Sequence, residues 1–426
     1  MHLKISVVIC LLLSQHIIAF SQDTSYARTS INKLCSDAYH GRGYYKNGAV
    51  KAGNYIASEM RKNGAEKIGS SYFQNFSFPV NIVKQVKFKP SEKAEWLRPG
   101  IDYVVNAGAQ NFSGSILVTQ KCFINETLLK DSMAFESSIS QNNTTWFVID
   151  TISTISKNKY KKRLNYIHQK FNTVTYTNTK FTWTVNTEQE DRFHVEIQKN
   201  SGKMIQPNQP FFLGIKSQLK TTFQNNIVGM IPGTSGSDSF LVFTAHYDHL
   251  GQMGPKAVFR GANDNAAGVA MLLDLIRFYH KNKPKYTIIF IAFAGEEAGL
   301  IGSYYYSTKP LHPLTKTRFL LNLDLVGTGE TGMTVVNASI FTRDFNVLDS
   351  INQLKHYLPS ITKRGKASIS DHHYFTEKGI PSFFWYQSGP RSSYHDVFDV
   401  PETLTLAGYN ATFKLAVGFF QYLQMQ

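Results

Sequence analysis

Acidic and imidazole side chains recur directly after short apolar runs in the second half of this 426-residue sequence. His246 and Asp248 follow one such run, and Asp324 follows another. Four further candidates complete the set: Asp264, Glu296, Glu297 and His395. Because acids that lie close together repel one another unless cations neutralise them, such a cluster predicts a metal site. Ligation by histidine together with carboxylate is typical of zinc.

Taken alone, each of these residues has an ordinary explanation. An Asp before a helix usually caps it, and two acids at a helix start usually interact with the helix dipole. Apart from Asp248, the set contains two histidines and four acids, which together are more than helix caps and dipole interactions explain. With three ligands for each ion and one ligand shared, five residues form a two-metal site: His246, Asp264, Glu297, Asp324 and His395. Glu296 is then free to act as a general base, and Asp248 is placed to hold the other ring nitrogen of His246.

Strands that alternate with helices are expected to position these side chains over residues 221–426. Near-continuous apolar strands predict an α/β fold, in which a mixed, mostly parallel sheet is covered by helices on both faces. Ligands of such sheets bind beyond the carboxyl ends of the strands, where the candidate residues lie. Strands are expected at 227–231, 240–245, 286–293, 319–323, 334–336 and 380–385, and helices at 266–279, 298–306, 343–356 and 401–424.

The preceding residues divide into two segments with different patterns. Residues 22–81 are expected to form an N-terminal helical part of the same domain, with a helix over Ala49–Asn63 and a strand over Phe73–Val80. Residues 82–220 are expected to form an inserted β-rich domain, because short strand-like runs alternate there with polar stretches. The clearest runs are Ser115–Thr119, Trp146–Ile149, Phe181–Val185 and Phe193–Ile197.

Residues 1–21 are predicted to be a secretory signal peptide. Lys4 precedes the apolar run Ile5–Leu13, and small residues end the segment at Ala19 and Ser21. The apolar run falls far short of the roughly 20 residues that a membrane-spanning helix needs, so no membrane span is expected. Cleavage near Ser21 would place the protein outside the cell or in the periplasm or cell envelope. Two cysteines would remain, Cys35 and Cys122, which either pair or, as the composition favours, stay buried as apolar side chains.

The net charge suggests a polyanion as a partner, but the motifs do not support it. The chain has 45 Lys and Arg residues against 30 Asp and Glu residues, a formal charge of +15. It has no helix-turn-helix, zinc-finger or aromatic RNA-binding signature, and nucleic acid is therefore not expected as a partner. The basic run Lys157–Arg163 is interpreted as a solvated surface.

The motifs resemble those of the M28 family of co-catalytic zinc aminopeptidases, in its secreted bacterial form. The resemblance covers roughly residues 225–426, in the order and at the spacing of the family. Its motifs are TAHYDHLG (244–251), GANDNAAG (261–268), FAGEEAGLIGS (293–303), NLDLVG (322–327), SDHHYF (370–375) and YHDVFD (394–399). HGRGY (40–44) also resembles secreted members. Residues 82–220 occupy the place of the family's variable inserted domain, which is sometimes a protease-associated domain.

The resemblance implies a reaction and a role for each residue. Two zinc ions bridged by Asp264 would hold a hydroxide that attacks the first peptide bond of a substrate with a free N-terminus. His246 and Asp324 would bind one ion, and Glu297 and His395 the other. Glu296 would be the general base. The resemblance further implies an oxyanion-stabilising Tyr394, supporting roles near the pocket for Asp371 and His372, and a cis peptide bond between Asp264 and Asn265.

Three alternatives to an aminopeptidase stay open. Glutaminyl-peptide cyclases resemble the same scaffold but use one zinc ion, and carboxypeptidase-type relatives share the ligand set. A non-catalytic binding module of this fold should lack ligands or the base, whereas all six positions are filled here. The sequence does not indicate the preferred substrate side chain or the oligomeric state.

Overall fold

The computed structural model describes residues 24–140, 145–150, 158–202, 204–390 and 393–426. The predicted signal peptide lies outside the described residues. Sixteen strands are formed by the residues described: β1 Phe73–Lys89, β2 Tyr103–Val105, β3 Phe112–Ile116, β4 Phe123–Ile124, β5 Trp146–Ile149, β6 Asn172–Thr177, β7 His194–Gln198, β8 Phe211–Ile231, β9 Phe240–His246, β10 Gly251–Met253, β11 Ala257–Phe259, β12 Thr287–Phe293, β13 Thr317–Leu323, β14 Gly332–Val336, β15 Ile361–Lys363 and β16 Ser382–Ser388.

Helices cover the sheets. The α-helices of the described residues are α1 Thr24–Leu34, α2 Gly48–Lys62, α3 Glu126–Lys130, α4 Ser132–Ser140, α5 Lys161–Lys170, α6 Ala267–Lys281, α7 Ile301–Thr308, α8 Thr342–Lys355, α9 His373–Glu377 and α10 Tyr409–Met425. None of them combines the length and the apolar composition that crossing a bilayer requires.

A nine-stranded mixed sheet organises the larger of the two main cores. Its order is β1-β8-β12-β9-β13-β16-β14-β15, with β3 also paired to β8. The four central strands β12, β9, β13 and β16 are mutually parallel, and antiparallel pairs flank them. The predicted fold class is confirmed, since this sheet is the mixed, helix-covered sheet that the apolar strands indicated.

Alternate residues of the central strands face opposite layers of helices. On β9, Phe243 belongs to the buried cluster that also contains residues of α1, α2, α6, α8 and α10. Val242 belongs to a separate cluster that contains Tyr306 of α7 and Phe375 of α9. The ring of Phe420 on α10 stacks on Phe243 with their centroids 3.8 Å apart. Because both faces are covered, the central strands are apolar at nearly every position, as parallel strands in such folds are.

The last helix begins later than the sequence predicts. A short 3₁₀ turn covers Pro401–Thr403, and α10 starts only at Tyr409. Between them, Leu406 has a φ of 56° and donates its N–H to the carbonyl of Gly327. That left-handed conformation and non-helical bond interrupt the helix, so the predicted start at residue 401 is wrong.

Residues 82–220 contain a second sheet with helices of its own. Its order is β2-β7-β6-β5-β4, and the strands from β4 to β7 are parallel. Parallel neighbours need crossover connections, and α5 provides the one between β5 and β6. The segment is therefore an α/β unit, more helical than the expected β-rich domain. The run Phe181–Val185 forms no strand; instead, the Trp183 ring stacks on Phe259 at 4.9 Å.

Strands β1 and β8 join the two cores. They pair antiparallel from Phe73 opposite Ile227 to Lys89 opposite Phe212. Their ends near Ile227 lie in the larger core, and their ends near Phe212 border the second core. The expected domain limits at residues 82 and 220 therefore fall inside these strands. Cys35 is buried in the larger core and Cys122 in the second core, and they form no disulfide.

Candidate metal centre

Three neighbouring strands deliver candidate ligands to one edge of the large sheet. His246 is the last residue of β9 and pairs with Phe293, the last residue of β12. Glu296 and Glu297 follow β12, and Asp324 follows β13 directly. Because β12, β9 and β13 are parallel and adjacent, their carboxyl ends meet, and the side chains that follow them converge.

Asp264 lies between two histidines. Its Oδ1 atom is 3.3 Å from Nε2 of His246, and its Oδ2 atom is 3.2 Å from Nε2 of His395. The residue sits in the tight turn Ala262–Ala266, and the Asp264–Asn265 peptide bond is cis, as the resemblance implied. Each carboxylate oxygen therefore faces a different imidazole, which is the arrangement that a bridging ligand requires.

Asp324 and Glu297 each complete a set of three candidate metal ligands, one on either side of Asp264. Asp324 Oδ1 is 3.3 Å from Nε2 of His246, and Glu297 Oε2 is 3.1 Å from Nε2 of His395. Ligand atoms of His246, Asp264 and Glu297 all lie within 4.8 Å of one another. Each set offers one imidazole nitrogen and two carboxylate oxygens, donors that fit zinc. The residues present therefore fit a divalent cation on either side of Asp264.

The electrostatics of the site favour positive charge between these ligands. Among the described residues, the ion-pair partners of Asp264, Glu297 and Asp324 are histidines. Burial by itself lowers the pKa of His395, but the carboxylates of Glu297 and Asp264 raise it to about 11. Burial by itself would raise the pKa of Asp264, but its hydrogen bonds with the histidines hold it well below the usual range. The same attraction would hold a metal ion.

Glu296 differs from the other acids at this edge. Desolvation raises the pKa of its carboxyl well above the usual range, and the neighbouring Glu297 and Asp371 carboxylates raise it further. One of its oxygens lies within 4.8 Å of ligand atoms of His246 and Asp324. The residue as a whole is partly buried. A carboxyl group that holds a proton readily suits general acid–base chemistry better than ligation.

Asp248 supports the centre through different atoms from those expected. The ring nitrogen Nδ1 of His246 is 3.2 Å from the main-chain carbonyl of Asp248 but 4.0 Å from its carboxylate. The carboxylate instead accepts the Tyr44 hydroxyl at 2.8 Å and the N–H groups of Glu296 and Glu297 at 3.2 and 3.4 Å. The prediction that its side chain holds His246 is therefore wrong; its backbone does, and its side chain orients the two glutamates.

The other predicted residues also surround this edge. The Tyr394 ring stacks on His395 with centroids 3.9 Å apart and stays 42% exposed, so it lines the open side of the centre. Asp371 is fully buried, and burial raises its pKa to about 7. His372 packs its ring against Phe384, and burial lowers its pKa to about 4. His372 thus contributes to packing at this edge rather than to the ligand set.

The buried Arg42 is a functional residue that the sequence reasoning did not single out. Its guanidinium donates to the carbonyls of Tyr247, Arg260, Gly261 and Asp264, at 2.8, 2.6, 2.6 and 3.1 Å. The side chain is 0% exposed. Arg42 therefore ties the loop after β9 to the turn that carries Asp264. The motif HGRGY was the available signal, but nothing in it indicates the partners of the arginine.

Asp399 and His249 were also missed. Asp399 accepts the N–H groups of Asn263 and Asp264 at distances of 2.9 to 3.1 Å, and it holds the same turn from the other side. The ring of His249 is 0% exposed, and its Nδ1 atom is 2.6 Å from Oε1 of Glu297. Both residues belong to recognised motifs, YHDVFD and TAHYDHLG, but only the folded chain brings them to the ligands.

The inserted segment, residues 82–220, also contacts the candidate metal centre. The backbone N–H of Trp183 donates to the carbonyl of His395 at 2.9 Å. His395 has a φ of 55°, a left-handed conformation that its neighbours must support. Lys180 lies 3.9 Å from Asp396 in the same loop. Residues of the insert therefore help to hold a predicted metal ligand in place.

Comparisons with known proteins identify similar chains. Residues 226–420 match the model of Peptidase family M28. A probable zinc metalloprotease of Leptosphaeria maculans is 37% identical over 112 residues, which cover 25% of this chain and 26% of that protein. The chain thus spans about a quarter of the length of the curated relatives that it matches.

Solved structures share the fold over nearly the whole chain. A zinc aminopeptidase from Bacillus subtilis has a TM-score of 0.67 at 20% identity, with 93% of this chain and 94% of that chain covered. A glutaminyl cyclase of Bacteroides thetaiotaomicron has a TM-score of 0.50 at 13% identity, with 94% and 97% covered. The fold is therefore common to chains with different activities, and the site must distinguish between them.

We predict that Arg42→Lys destabilises the protein and weakens zinc binding. A lysine ammonium cannot reach four carbonyls, and each buried acceptor left unpaired costs about 1–3 kcal/mol. The free energy of unfolding in urea and the zinc content of the purified protein would measure both effects.

Arg260→Lys provides the control for this prediction. Arg260 donates to the Cys35 carbonyl and pairs with the exposed Asp37, and its side chain is itself 31% exposed. Exposed pairs contribute about 0–1 kcal/mol, so this variant should unfold close to the wild type. Equal stability of the two variants would contradict the role assigned to Arg42.

Proposed function

We propose that the chain is an aminopeptidase dependent on two zinc ions, on the premise that its residues 226–420 match the model of peptidase family M28. The match to the family agrees with the resemblance of the motifs. The single observation that carries the proposal is the position of Asp264, whose two oxygens face His246 and His395 separately. A carboxylate so placed can serve two cations at once.

Zinc ions bound at these ligands would polarise the scissile carbonyl and lower the pKa of the attacking water. Glu296 is proposed to take the proton of that water as it attacks, and then to deliver the proton to the amine that leaves when the peptide bond breaks. Its raised pKa supports both steps, because the carboxyl must hold the proton between them. The hydroxyl of Tyr394 is proposed to donate a hydrogen bond to the scissile carbonyl oxygen, which becomes negatively charged during the attack.

The acidic character of the site favours substrates with a free α-amine. A protonated or neutral amine would approach carboxylates rather than the cationic side chains that a C-terminal carboxylate needs. In the described residues, the ion-pair partners of the carboxylates that converge at the centre are histidines, and the nearby Lys180 pairs with Asp396 instead. We therefore place the substrate's N-terminus, not its C-terminus, at the centre.

A glutaminyl-peptide cyclase is the second candidate, because the fold is shared with one. Such an enzyme uses one zinc ion, and the set of Asp264, Glu297 and His395 would suffice for it. The observation against it is the second set, in which His246 contacts both Asp264 and Asp324 at 3.3 Å. A single-ion enzyme does not need that set.

Turnover of four substrates would separate these activities. We expect zinc-loaded protein to hydrolyse leucine p-nitroanilide and to leave N-acetyl-leucine p-nitroanilide intact, since acetylation removes the α-amine. A peptide with N-terminal glutamine should lose its first residue rather than cyclise. Cyclisation without hydrolysis would refute the proposal, and so would release of C-terminal residues from a peptide with a blocked N-terminus.

We predict that Glu296→Gln retains zinc and loses catalysis. The amide keeps the shape of the side chain but cannot accept a proton, and general base catalysis typically contributes about 10²–10⁴-fold. The kcat for leucine p-nitroanilide should fall by about that factor, with the zinc content unchanged. Glu92→Gln, at an exposed position, should keep full activity. Wild-type kcat in the Glu296 variant would remove Glu296 from the mechanism.

The proposed location outside the cytoplasm depends on the predicted signal peptide alone. Lys4 and the apolar run Ile5–Leu13 support it. Sequencing the N-terminus of the protein purified from its native cells should find a chain that begins near residue 22. An intact N-terminus in the cytoplasmic fraction would contradict this location.

A further inference from the structure

The imidazole of His249 forms a hydrogen bond with one oxygen of a predicted metal ligand, and the same nitrogen lies 3.9 Å from Oδ1 of Asp264. Its Nδ1 atom is 2.6 Å from Oε1 of Glu297, whereas Oε2 of the same carboxylate is 3.1 Å from Nε2 of His395. The two oxygens of Glu297 therefore have different partners. Since an ionised carboxylate only accepts hydrogen bonds, the proton of this contact is on Nδ1 of His249.

We propose that His249 is a positioning residue that restricts Glu297 to metal ligation through Oε2 alone. The hydrogen bond occupies Oε1 and turns the other oxygen towards His395. Without it, the carboxylate could rotate and offer both oxygens to one ion, which changes the coordination number. The inference rests on the proposed function, because it concerns the ion held by Asp264, Glu297 and His395.

The surroundings of His249 hold its ring in one orientation. Its backbone N–H donates to the carbonyl of Arg42 at 3.3 Å. Gly261 leaves the space that the ring fills, because a Cβ atom there would lie 2.4 Å from Cδ2 of the imidazole. The ring of His395 lies edge-on at 5.9 Å. The donor is thus fixed before any metal binds, which is what an orienting hydrogen bond requires.

The burial of His249 distinguishes it from a histidine that makes a polar contact at the surface. The ring is fully enclosed, and its Nε2 atom has no hydrogen-bond partner among the described residues. A buried imidazole with an unpaired nitrogen costs stability, so packing alone would favour an apolar side chain here. The hydrogen bond to Glu297 supplies the reason for a histidine at this position.

Two substitutions separate positioning from packing. His249→Leu keeps an apolar volume and removes the donor. His249→Asn places an amide N–H close to the position of Nδ1. If His249 orients Glu297, the Leu variant should bind one of its two ions about 10–100-fold more weakly, and the Asn variant should recover most of that affinity. Competition with a chromophoric chelator measures both affinities without any substrate.

Cobalt provides the second measurement, because its visible absorption reports the coordination number. Cobalt-loaded His249→Leu should show a weaker and shifted band for one ion, as Glu297 changes from one oxygen to two, while His249→Asn keeps the wild-type spectrum. Thermal unfolding of the metal-free proteins verifies that each variant folds. If the Leu variant does not fold, His249→Ala takes its place, since it adds no bulk beside Gly261.

The outcomes distinguish this inference from the proposed function. Unchanged affinities and an unchanged cobalt spectrum in the Leu variant overturn the inference alone, as does an Asn variant that is as defective as the Leu variant. Wild-type protein that binds fewer than two ions overturns the two-ion function, and the inference with it. Protein that binds two ions and responds as expected, but hydrolyses no peptide, supports the inference and refutes the activity.

Discussion

Repulsion among acids at one edge of a sheet is the constraint on which the structure depends. Three parallel strands end there, and the buried carboxylates of Asp264, Glu297 and Asp324 converge. Such a cluster is stable only with compensating positive charge. Without a metal, protonated histidines supply this charge. Bound cations would replace the protons on Nε2 of His246 and His395 and supply the positive charge instead. Stability of the fold and the capacity for metal binding therefore have one physical origin.

The parts of the chain that hold this cluster use backbone groups more than side-chain pairs. Arg42 binds carbonyls, Asp399 and Asp248 bind N–H groups, and Trp183 binds a carbonyl through its own backbone. Contacts to the backbone position a whole loop, and every side chain on it moves with the loop. Because a metal centre tolerates only positional errors well below 1 Å, these contacts contribute to the precision with which the candidate ligands are held.

The central strands and the convergence of the candidate ligands were predictable because their signals are local. An apolar run followed by His246 or Asp324 contains the strand and the ligand in one short segment. Arg42 was not predictable in this way, since its partners Tyr247 and Gly261 lie 205 and 219 residues away. The lengths of β1 and β8 were underestimated because their distal halves pack against the second core, where polar residues alternate with apolar ones. The start of α10 depended on a single left-handed residue that no local pattern marks.

The separation in sequence between Arg42 and its carbonyl partners has a consequence for the order in which the nascent chain folds. At about 5–20 residues per second, the segment around Arg42 is synthesised roughly 10–40 s before Gly261 exists. Until then the guanidinium of Arg42 lacks the four carbonyls of Tyr247, Arg260, Gly261 and Asp264, so we expect its segment to become ordered only after β8 and β9 have formed. Such long-range contacts slow folding. In the nascent chain, the metal centre is therefore complete only after the N-terminal and C-terminal parts of the domain have packed together.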